Sequence, residues 1–112
     1  IKPRRYCMRL ETKKYLLDIQ QAAALASDFV AGRTFADYQQ TAMLRAAVER
    51  QCEIIGEALA KLAKADEAVA AQISDYRRII AFRNILIHGY TEVDHRLVWD
   101  VVTTKVPRCP PK

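Results

Sequence analysis

Glycine and proline are both scarce, with 3 Gly and 4 Pro in 112 residues, and three of the prolines fall in the last six positions. A chain with so few breakers and 51% hydrophobic residues points to a mostly helical protein. Long hydrophobic runs are missing too. None approaches the ~18 residues that a membrane span requires, and none has the layout of a signal peptide. Cysteine is sparse and odd in number: Cys7, Cys52 and Cys109 are widely spaced and outside any zinc pattern. Three reduced thiols in a cytoplasmic protein are expected, with no metal site and no cofactor.

The chain is long enough for one domain to bury a single core without disulfides. Its formal charge of +5 resembles a nucleic-acid signal until its distribution is followed. Residues 1–14 hold six basic side chains against the single acid Glu11, and the rest of the chain carries 12 basic and 12 acidic residues. A charge run of this kind is ordinarily a solvated face. The chain begins at Ile1, and Met8 opens the first periodic segment. Residues 1–7 are therefore expected to be a flexible basic N-terminal segment or a remnant of upstream sequence, and residues 8–112 a single helical domain.

From Met8 to about Val30, apolar residues recur at helical spacing through Leu10, Leu16, Leu17, Ile19, Ala23, Ala24 and Phe29. Gly32 is a suitable stop, and Thr34 a suitable cap for the next helix. A long helical pattern then runs from about Tyr38 to Lys64, with Leu44, Val48, Ile55, Leu59 and Leu62 on one stripe and Ala47 and Ala58 filling in. Within it, Gly56 costs roughly 1 kcal/mol relative to Ala and marks close approach by another backbone, most simply a helix of the same chain. Ile54, Ile55 and Gly56 are secondary candidates for a subunit interface. A short helix or turn is expected in "KADEAVAAQI". A fourth helix, "YRRIIAFRNILIH", comes after the capping candidate Asp75 and stops at Gly89. A fifth, "HRLVWDVV", comes after Asp94. Nothing repeats and nothing reads as a strand. The expected fold is all-α, an up-and-down bundle of about five helices, two of them long and antiparallel.

One octet needs more than packing to explain it. "RNILIHGY", Arg83 to Tyr90, places Arg, Asn, His and Tyr together at the end of an apolar helical run. As a helix stop it is ordinary: Gly89 suits the C′ position, His88 suits the negative end of the helix dipole, and Arg83 can lay its stem along an apolar face. As a site it has the parts that RNA cleavage uses. A 2′-hydroxyl attacks the adjacent phosphorus, so a base must take its proton and an acid must protonate the leaving 5′-oxygen. The phosphorane between them needs a fixed cation. Histidine serves proton transfer near neutral pH, and arginine offers a permanent charge with a planar fork. The helix C-terminus favours protonated His88, and a nearby Arg83 opposes it.

Geometry argues that one chain does not complete such a site. Residues five apart on a regular helix lie about 140° from each other, and one chain offers one well-placed histidine. A two-fold dimer pairing this helix end with its mate supplies two of each around one groove. His95, just after the cap of the fifth helix, is expected at the surface.

Arg83, four residues, His88, one residue and Tyr90 together resemble the Arg-x4-His-x-Tyr signature of HEPN domains, in the form found in HepT-type toxins. "EIIGEALAKL" (53–62), "YRRIIAFRNILIHGYTEVD" (76–94) and "VWDVV" (98–102) resemble that family's segments in its order, so the likeness extends from residue 8 to about 106. It departs at Tyr76, where the family often carries Trp and a packing substitution is expected, and in ending soon after the fifth helix. The resemblance implies an all-α homodimer with Arg83 and His88 of both subunits in a shared cleft. It also implies metal-independent ribonuclease activity with an RNA substrate, and Asn84 orienting the phosphate or His88. Further, it implies neutralisation by an MntA-type nucleotidyltransferase antitoxin that transfers AMP from ATP to Tyr90. The alternative is a non-catalytic HEPN subunit that binds nucleotide or RNA alongside a nucleotidyltransferase. A third reading is a helical scaffold without chemistry.

Overall fold

The structure is a computed structural model and describes residues 10–88 and 93–104. The basic segment 1–7, the helix stop at Gly89 and the modification candidate Tyr90 lie outside the described residues. The described residues form six helices in order: α1 Leu10–Val30, α2 Phe35–Gln40, α3 Ala42–Ala65, α4 Glu67–Ala70, α5 Tyr76–His88 and α6 His95–Thr104. They contain no strand, and none is long and apolar enough to cross a membrane. The all-α bundle expected from periodicity is the one observed, with α1 and α3 as its long antiparallel pair.

The two long helices pack through small side chains on one of them. Ala22, Ala23 and Ala26 of α1 are buried with Ile19 and Val30, and α3 answers with Val48, Cys52, Ile55, Leu59 and Leu62. Alanines at this seam let the helix axes come close, and the larger α3 side chains fill the space. The stripe expected on α3 is therefore the core stripe. The apolar positions on α1 divide differently: Leu10 and Leu17 are 82% and 51% exposed. Spaced seven apart, they lie on one line of the helix, away from the alanine face. Hydrophobicity favours the leucines, but close approach selects the alanines.

The stretch expected as one helix from Tyr38 is interrupted at Thr41, whose φ of −111° and ψ of 98° are extended. The preceding turn is closed by a capping box. Asp37 N–H donates to Thr34 Oγ1 at 3.1 Å, and Thr34 N–H donates to Asp37 Oδ2 at 3.0 Å. Gly32 supplies the positive φ of 74° that ends α1. The break lets α2 turn Tyr38 fully into the core, where its ring lies 5.5 Å from Trp99 and 6.4 Å from His95. His95 is thus half-buried and not the surface residue expected. Its Nδ1 is buried with no hydrogen-bond partner among the described residues. Asp94 caps α6 as expected, accepting from the backbone N–H of Arg96 at 3.0 Å and of Leu97 at 3.3 Å.

Helix α3 is the axis of the assembly and packs on each of the other five helices. Helix α5 rests chiefly on α3, while α6 meets α1, α2 and α3.

Candidate active site

Helix α5 begins at a latch. Asp75 has a φ of 60°, and its carbonyl accepts the N–H of Ile79 at 3.0 Å. Tyr76 donates its hydroxyl to Glu67 Oε2 at 3.0 Å, and Arg77 reaches the same oxygen at 3.2 Å with its guanidinium 5.4 Å from the Tyr76 ring centre. Tyr76 therefore does more than replace an apolar ring, because its hydroxyl ties α5 to α4.

Beyond the latch, α5 sorts its side chains by helical period. Phe82 and Leu86 are buried, with Ile79 and Ile80 packed against the core. Arg83 lies on the α3 side of this face, its side chain only 19% exposed. The opposite face carries Ala81, Asn84, Ile85 and His88, spaced three, four and seven residues apart and all exposed. The structure thus brings Asn84 and His88 onto one open face and turns Arg83 away from them toward α3. This is the separation expected of residues five apart.

What receives Arg83 is Gly56. A Cβ at position 56 would lie 2.2 Å from Arg83 Cβ and 2.7 Å from its Cγ, which no real structure tolerates. The close approach expected at this glycine is a helix of the same chain, and the group that approaches is the stem of the motif arginine. Ile55 is 4% exposed and Gly56 is buried, so neither is free to serve the subunit interface proposed for them. Ile54 is partly buried and lines a groove of about 430 Å³ between α1 and α3, with Ile87 at its α5 end.

Arg83 Nη2 lies 3.5 Å from Glu57 Oε1, while Arg83 Nε is buried with no hydrogen-bond partner among the described residues. Glu57 directly follows Gly56 in the sequence, where no role was expected for it. No local signal marks it, because Glu57 meets Arg83 only through the packing of α5 on α3. Glu57 also lines the groove, and its other oxygen, Oε2, lies 3.6 Å from Lys61. Among the described residues, no three His, Cys, Asp or Glu side chains come together as metal ligands.

Arg83 and His88 therefore share one helix, the arginine anchored against α3 and the imidazole exposed. A family model for HepT-like ribonucleases matches residues 19–110, which include the whole of this helix. The chain belongs to the HepT-like ribonuclease family. Among similar proteins, the Thermococcus cleftensis protein named as a probable ribonuclease HepT is 33% identical over 89% of this chain and 90% of its own. MJ1380 of Methanocaldococcus jannaschii, provisionally named an RNase, is 32% identical over 88% of this chain and 89% of its own. TTE0752 of Caldanaerobacter subterraneus, likewise provisionally named an RNase, is 30% identical over 85% and 84%. No solved structure matches with comparable significance.

Proposed function

We propose that this HepT-like chain is a metal-independent endoribonuclease toxin that works as a two-fold dimer. The observation that carries the reading is the division of α5: Arg83 is held on one side by Gly56 and Glu57, and His88 stands exposed on the other. A single chain then has one imidazole, whereas phosphodiester transesterification uses a base and an acid. A mate packed beside the open face, with Ile85 50% exposed at its middle, supplies a second His88, and the tips of both Arg83 side chains enter the shared cleft from the α3 side.

In that cleft one His88 takes the proton of the RNA 2′-hydroxyl. The oxygen attacks phosphorus, and the P–O5′ bond breaks as the other His88 delivers a proton to the leaving oxygen. The products are a 2′,3′-cyclic phosphate and a 5′-hydroxyl. Arg83 of each subunit neutralises the charge gathering on the phosphorane, and Asn84, one turn before His88 on the same face, orients the imidazole or the phosphate. Base, acid and cation all come from side chains, so the mechanism calls on no metal.

Tyr90 lies two residues beyond His88, which favours it as the acceptor of AMP from a cognate nucleotidyltransferase of the MntA type. A phosphodiester there would place bulk and negative charge where RNA must bind. The test is Tyr90→Phe incubated with ATP and that enzyme. It should cleave RNA, gain no AMP by intact mass and escape neutralisation, whereas the wild type gains AMP and falls silent. Equal labelling of the two proteins would move the modification to another residue.

A further inference from the structure

Arg83 and Glu57 make an unequal pair. The stem of the arginine is fixed, because Gly56 leaves room for Arg83 Cβ and Cγ and for nothing else. Its tip is not fixed in the same way: Nη2 meets Glu57 at 3.5 Å, and Nε has no partner among the described residues. A guanidinium has five N–H donors in a fork suited to an oxyanion, so this one keeps donor capacity in reserve.

Glu57 is the looser member. Its side chain is 49% exposed against 19% for Arg83. Its two oxygens face two cations, Oε1 toward Arg83 and Oε2 toward Lys61 at 3.6 Å. If Arg83 turned to another anion, Glu57 would keep Lys61 and water, so neither charge would be left buried and alone. A pair this exposed is weak, and a phosphodiester accepting two N–H donors in parallel can displace it. Glu57 also stands on the wall of the groove that ends at Ile87, one residue before His88.

We infer that Glu57 is a positioning residue that occupies the phosphate seat on Arg83 in the empty enzyme and is displaced when RNA binds. The inference rests on the ribonuclease reading above and adds a built-in competitor to it. Glu57 holds the guanidinium in place with its fork half used. The scissile phosphate takes over that contact, and Glu57 falls back on Lys61.

The experiment is a mutant cycle on the full chain. Wild type, Glu57→Gln, Arg83→Met and the double variant are titrated with a single-stranded RNA methylated at every 2′-oxygen, which cannot be cleaved. Met keeps a stem over Gly56, and Gln is nearly isosteric, so both variants should retain the helical signal and melting behaviour of the wild type. In the wild-type background, Glu57→Gln should tighten binding about two- to fivefold at low salt. With cleavable RNA, KM should fall by the same factor while kcat changes less. In the Arg83→Met background, Glu57→Gln should change nothing.

A Glu57 effect that persists without Arg83 would mean that freed Lys61 or the general field attracts the RNA, which overturns the inference and leaves the role of Arg83 standing. Unchanged or weaker binding by Glu57→Gln also overturns it. If Arg83→Met alone alters neither binding nor cleavage, the ribonuclease reading falls and takes the inference with it.

Discussion

Gly56 and Arg83 occupy one notch between α3 and α5, so close that a methyl group on the first would overlap the stem of the second. A glycine in the middle of a 24-residue helix is costly in itself, and here its function is to admit the arginine. Gly56→Ala gains helix propensity but must push α5 outward. The overpacking should outweigh the gain and destabilise the chain by about 1–3 kcal/mol. Denaturant titration measures this, and cleavage should fall with it because Arg83 loses its seat. A variant as stable and as active as the wild type would show that the notch has slack.

His88 and Arg83 should separate chemistry from stability. His88 is exposed at the end of α5, so His88→Ala should abolish cleavage while changing stability by less than about 0.5 kcal/mol. Arg83 is different, because its stem is packed. Truncation to Ala removes contacts as well as charge, and Arg83→Met is the cleaner probe. Met should keep the melting temperature within a few degrees and lose cleavage. Cleavage at the wild-type rate by His88→Ala would end the proposed chemistry.

Ile85 tests the dimer. It is half-exposed on the face it shares with Asn84 and His88. Ile85→Arg should leave the isolated fold intact, since no core contact is removed, yet place like charges opposite each other across a two-fold axis. Sedimentation should shift from dimer to monomer, and cleavage should vanish with the dimer. A wild-type protein already monomeric at micromolar concentration would remove the shared cleft altogether.

Glu49 gives the pH prediction. Burial, with a smaller contribution from Glu53, raises its carboxyl above the ordinary value of 4.5, against the opposing pull of His95 and Arg45. A carboxyl raised on folding holds its proton better in the folded chain. Its contribution is therefore complete below its unfolded pKa and is lost as pH rises through the folded one. Glu49→Gln cannot ionise. Its melting temperature relative to wild type should climb as pH is taken from 4 to 8. A wild type that instead gains on the variant over that range would mean that the attraction to His95 outweighs burial. The same pocket pushes the Cys52 thiol up to about 12, chiefly through burial, so it should alkylate only on unfolding.

The features that the sequence displayed clearly were those with local causes. Thr34 and Asp94 cap because their side chains reach backbone N–H groups two or three residues away, and the α3 stripe obeys the helical period. The face of α1 was not legible in the same way, because a ranking by apolar size favours Leu10 and Leu17 over the alanines that the seam uses. The turn at Thr41 was hidden for a related reason: nothing local forbids helix there, and the burial of Tyr38 against Trp99 and His95 favours the break. In the site, Arg83 and His88 were visible as a motif and their angular separation as arithmetic. The occupancy of Arg83 by Glu57 depends on which helix lies beneath α5, and that is a tertiary fact.

Helix α5 buries only Phe82 and Leu86 fully and leans chiefly on α3, whereas α1, α2, α3 and α6 brace one another. In hydrogen-exchange terms it should behave as a subglobal opening unit, its amides losing protection before those of the α1–α3 pair. A mate lying against its open face would add the wall that the single chain does not provide. Dilution would then loosen the helix and separate the subunits in one step, so the free energy of association and the order of the helix that carries Arg83 and His88 become a single quantity.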